Sequence, residues 1–136
     1  MGARRKAREY ALQMLFESDV GRNAVDEIQK NFWAGRSESS DVRQFANSLF
    51  TGTVARRDQI DELIQRQAEN WRLERMAVVD RNVLRLAVYE CMLQDTPKAV
   101  VINEAIEIAR KFSSDEATEF INGVLDGISK QLEGSG

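Results

Sequence analysis

An all-α fold is the class this sequence predicts, and three observations carry the prediction. Apolar residues recur at steps of three and four along most of the chain, proline occurs once in 136 residues, and no segment alternates as a strand would. The expected product is one domain of six to seven helices over residues 1–133, with Gly134-Ser135-Gly136 as a frayed tail.

The first helix is expected over residues 4–19. Ala7, Tyr10, Ala11, Met14 and Leu15 form one apolar stripe, while Leu12 and Phe16 lie off it and begin a second face. Gly21 terminates it, because glycine accepts the left-handed conformation that follows many helices. A shorter helix over Val25–Trp33 turns Val25, Ile28, Phe32 and Trp33 inward. Residues 35–40 are the most loop-like internal stretch, and Asp41 or a preceding serine caps the next helix. Val42, Phe45, Ala46, Leu49, Phe50 and Val54 continue the period, which resumes at Ile60, Leu63, Ile64 and Ala68 and ends near Trp71. One long helix and a broken pair fit this stretch equally well, with Gly52 as the weak point.

Val78 to Leu93 is apolar almost all round, the mark of a central helix touched on several sides. Thr96-Pro97 provides a cap and a proline at the first helical position of a helix running to Lys111. Ser113 and Glu116 are spaced as a capping box. The last helix carries Ala117, Phe120, Ile121, Val124, Leu125, Ile128 and Leu132, with Gly123 and Gly127 spaced for a tight helix crossing.

Composition removes several function classes. Without a histidine there is no Ser-His-Asp or Cys-His catalytic unit. A lone Cys91 closes no intramolecular disulfide and builds no Cys/His zinc site, which points to a reducing, cytoplasmic setting. No apolar run approaches the roughly 20 residues that span a bilayer, and the basic start lacks the apolar stretch of a signal peptide. No nucleophile–base pair or phosphate-cradling glycine loop is present. Neither catalysis, a cofactor nor a metal is expected.

The net charge of −3 conceals an uneven distribution. Arg4, Arg5, Lys6 and Arg8 place +4 on five residues and leave −7 elsewhere. Cations at a helix N-terminus oppose its dipole by roughly 0.3–1 kcal/mol each, so this arm asks for an outside anion, with polyphosphate the obvious choice. The plain alternative is a solvated leader. Single-stranded RNA also needs flat side chains on which bases stack; Phe16 is off its stripe and Phe120 falls early in the last helix, though the ordinary place of such an aromatic is the core. Asp80, Arg81, Arg85 and Glu90 interrupt the apolar helix and must be paired or face a partner. Asp80 also fits simple capping. Asn103, Glu104 and Glu107 make a polar strip of a kind that helical surfaces carry routinely.

Three segments together, Arg4-Arg5-Lys6-Ala7-Arg8 continuing to Phe16, Asp80-Arg81-Asn82-Val83-Leu84-Arg85 continuing to Glu90, and Val101-Ile102-Asn103-Glu104 continuing through Phe120-Ile121-Asn122-Gly123, resemble the NusB family of bacterial transcription antitermination factors. The resemblance spans nearly the whole chain and is to the free-standing factor rather than to the related domain fused to RNA methyltransferases. It implies two packed helical bundles. It also implies binding to boxA, a single-stranded element of ribosomal RNA leaders, together with the ribosomal protein NusE, in a complex with NusA, NusG and RNA polymerase. By this resemblance Arg4, Arg5, Lys6, Arg8, Phe16 and Phe120 contact RNA, and Glu116 tempers its affinity. Asp80 and Arg81 meet NusE. Phe16 stands where many members have tyrosine, which keeps the stacking face and loses a hydroxyl. The rival expectation is a homodimeric protein-interaction module whose basic arm is merely solvated.

Overall fold

The computed structural model describes residues 2–21, 23–69 and 71–134. Among these residues there are seven α-helices and no strand: α1 (Gly2–Gly21), α2 (Val25–Trp33), α3 (Ser40–Ala55), α4 (Arg57–Gln67), α5 (Val78–Leu93), α6 (Lys98–Phe112) and α7 (Asp115–Gly134), with a 3-10 turn at Leu73–Arg75. Gly134 closes α7 instead of beginning a tail, and Ser135 and Gly136 lie outside the described residues.

The helices sort into two bundles. α1 packs on α2 and most extensively on α3, while α4, α6 and α7 gather around α5. α5 also touches α1 and α3, and so joins the halves. Its all-round apolarity has this cause: Val83, Leu84, Leu86, Ala87, Val88 and Cys91 are all buried, on faces turned to different neighbours. Burial pushes the Cys91 thiol up to about 11, so it stays protonated and unreactive at neutral pH.

The caps shift by one residue from the expected positions in two places. Pro97 is the N-cap of α6 rather than its first helical residue, and its carbonyl accepts from the amides of Val100 and Val101. Ser114, not Ser113, caps α7 by accepting from the Ala117 amide at 3.1 Å. Ser39 caps α3 as one of the candidate serines. The α3–α4 stretch is a broken pair, and the break is at Arg56 (φ −109°, ψ 16°) rather than at Gly52. Gly52 has another use: a Cβ there would overlap the ring and hydroxyl of Tyr89 from α5. Of the two α7 glycines only Gly127 sits at a close crossing, beneath the Gln67 side chain of α4; Gly123 faces open space.

Candidate nucleic-acid and protein interface

α1 brings its basic residues to two different environments. Arg4 is exposed, with its guanidinium 4.1 Å from the centre of the Phe45 ring on α3. Lys6 is exposed, and its Nζ lies 2.9 Å from Glu38 Oε2, which also accepts from the Tyr10 hydroxyl. Those two hydrogen bonds hold the Glu38 carboxyl below its ordinary range and raise both Lys6 and Tyr10 above theirs. Arg5 is half-buried and donates through Nε to Glu104 Oε2 at 3.1 Å; that hydrogen bond and charge raise its pKa further.

Arg8 is a correction. It is 4% exposed and makes a two-pronged bond to Glu90, at 2.8 and 3.0 Å, with Glu104 3.5 Å away. The expectation of a fourth cation facing RNA fails because Arg8 falls on the stripe of Leu12 and Leu15, which packs inward. The demand for an outside anion is answered largely from within: Glu104, Glu38 and Glu90 neutralise three of the four cations. Arg4 alone of the four has no carboxylate partner among the described residues.

The far end of α1 has its own network, which sequence reasoning missed. Asp19 accepts from Arg81 at 2.7 and 3.0 Å, from Asn82 at 3.0 Å and from Arg85 at 3.0 Å. Arg85 in turn grips Asp61 of α4 through two bonds, at 2.8 and 3.0 Å. Burial alone would raise the Asp19 carboxyl, but hydrogen bonds from Arg81 and Asn82 and the charge of Arg85 outweigh it and hold it low. The signal was present in the need of the charges on α5 for partners; the identity of Asp19, 62 residues before Arg81, was not.

Asp80 and Arg81 therefore part company. Successive helix residues point about 100° apart, and Arg81 turns to Asp19 while Asp80 accepts from the Ser113 hydroxyl at 2.6 Å. Asp80 lies in an open groove of about 360 Å³ whose other walls include Trp71, Arg75, Glu116 and Phe120. Phe120 is half-buried and leans on Trp71, ring centres 5.7 Å apart. The structure thus brings Glu116 and Phe120 together with Asp80, rather than setting Asp80 on a surface apart. Phe16 is 39% exposed on α1. The arm is not part of this groove: Arg8 meets Glu90, ten residues and about 15 Å of helix rise from Asp80.

Among the described residues no group of three or more His, Cys, Asp or Glu is placed to hold a metal, and no helix is long and apolar enough to cross a membrane.

Comparison with known proteins identifies the lineage. The model of the NusB family matches residues 5–130. The transcription antitermination protein NusB of Koribacter versatilis is 54% identical over 134 residues, covering 97% of this chain and 92% of that protein. NusB of Thermodesulfovibrio yellowstonii is 45% identical, covering 94% and 92%. In structure, the T. maritima NusB is 35% identical with a TM-score of 0.83, over 93% of this chain and 90% of that one. A chain from a crystal structure of antitermination factors NusB and NusE in complex with double-stranded RNA has a TM-score of 0.87 at 27% identity, over 96% and 98%. A family model that spans almost the whole chain, relatives of matching length and a shared seven-helix architecture agree: this chain belongs to the NusB family.

Proposed function

We propose that this chain is a transcription antitermination factor that binds the boxA element of nascent ribosomal RNA leaders together with NusE, and with it joins NusA, NusG and RNA polymerase in the cytoplasm. It is a non-enzymatic, RNA-binding regulator, as its family is. The observation that carries the reading is the similarity, over nearly its full length, to a chain from the crystal structure of antitermination factors NusB and NusE in complex with double-stranded RNA.

In this reading the site residues divide by their surroundings. Arg4, with Lys6 beside it, is the accessible cationic end, and Arg5 joins them when phosphate competes for its guanidinium with Glu104. Arg8 acts by fixing α1 on α5 and not by touching RNA. Phe16 and Phe120 offer faces for unpaired bases, and Glu116 repels a phosphate that comes too close. Asp80 supplies the carboxylate for a basic ribosomal protein, while Arg81 steadies the start of α5 through Asp19.

The test is a salt titration of boxA-type RNA binding. Arg4→Glu with Lys6→Glu should weaken binding and lower the slope of log affinity against log salt by about 1–2. Unchanged affinity and slope would remove the arm from the interface and favour the rival reading, a homodimeric module.

A further inference from the structure

Trp71 stands out from the described residues as a large aromatic with 56% of its surface exposed. Its backbone is nonetheless pinned. The Trp71 amide donates to the Ala68 carbonyl at 3.0 Å, and the carboxamide of Gln65 donates to the Trp71 carbonyl at 2.6 Å while accepting from the Leu73 amide at 3.0 Å. The same carboxamide donates to the Ala68 carbonyl at 3.4 Å, so one glutamine braces the chain on both sides of the indole. Fixing an exposed aromatic in this way lowers the entropy lost when a flat ligand stacks on it.

The Trp71 and Phe120 rings are inclined at 59° and form a ridge with an open groove on each side. A planar ligand that stacks on one ring meets the other near its edge, a favourable aromatic arrangement. The charges around the first groove say which part of a nucleotide enters. Asp80 and Glu116 outnumber Arg75 there, so a phosphate is repelled from the interior, whereas the exocyclic amino group of a base donates well to the Glu116 carboxylate, with Asp80 held by the Ser113 hydroxyl. Arg75 at the same wall suits the flanking backbone.

We propose that Trp71 is a second stacking platform beside Phe120, and that their groove takes an unpaired base bearing an exocyclic amino group. This rests on the RNA-binding function proposed above. The other tryptophan, Trp33, is buried and donates to Asn47, so the exposed indole is the natural reporter.

The experiment follows tryptophan emission as boxA-type single-stranded RNA is added, with a labelled copy of the RNA reporting binding independently. Wild-type emission should fall as RNA binds, and in Trp71→Phe it should stay nearly constant although RNA still binds. Trp71→Ala should weaken binding about tenfold, the size of one lost base stack. Oligo(rC) should quench at lower concentration than oligo(rU), which carries a carbonyl in place of the amino group; an equal or reversed order would overturn the part assigned to Glu116. RNA that binds without altering emission overturns the proposal and leaves the RNA-binding function standing, whereas absence of any binding overturns both. Emission that responds to NusE alone and not to RNA makes the groove a protein site and also overturns the proposal.

Discussion

Arg4 and Arg8 lie one turn apart on α1, yet one is exposed and the other is buried against Glu90. The difference was partly legible. Arg8, Leu12 and Leu15 share the i, i+4, i+7 spacing of a buried stripe, and Glu90 sits between the buried Ala87 and Cys91. What local pattern cannot supply is that these two misfits, 82 residues apart, belong to each other. Removing one partner of such a pair strands the other charge. Arg8→Met should cost about 3 kcal/mol in urea unfolding, and the double variant with Glu90→Leu should recover much of it. A double variant as unstable as the sum of the single ones would show that the pair is not the cause. Phe120 is the opposite case: periodicity alone assigned it to the core, and it is half-buried at the edge of a groove because Trp71 covers only part of it.

At the scale of elements, apolar periodicity located the helices well, because it depends on neighbours within a turn or two. α2 and α5 fall on the expected bounds, and Ser39 caps α3. The break at Arg56 was not readable, since Gly52 looked the weaker residue; its lack of a side chain serves the approach of Tyr89 instead. The join between α1, α4 and α5 depends on Asp19. Its folded pKa is depressed, so its stabilisation is fully present above about pH 4 and is lost as pH falls through the lower folded value. Asp19→Asn should therefore cost about 3 kcal/mol at pH 7 and less at about pH 3, where the carboxyl of the unfolded wild-type chain is already protonated. The measurement is urea unfolding of both proteins at the two pH values. An equal difference at both would contradict the assignment.

For the whole molecule, net charge was the least informative number. The −3 total conceals a +4 segment, and the structure further divides that segment into internal partners and an exposed remainder. Family and fold were legible because three motifs in order specify them over nearly the whole chain. The groove was not, because Trp71, Asp80, Glu116 and Phe120 come from the approach to α5, from α5 itself and from α7, and only packing brings them together. In the function proposed above, the base platform and the carboxylate for NusE share that one groove, so binding of either partner is expected to change the affinity for the other. Such coupling is reciprocal: whatever factor NusE adds to RNA affinity, RNA must add to NusE affinity. The most direct measurement is boxA RNA affinity for this chain alone and with saturating NusE, paired with NusE affinity with and without RNA. Binding should tighten in both directions by one common factor, of about five- to a hundredfold. RNA affinity that is the same with and without NusE would contradict a shared groove for the two partners.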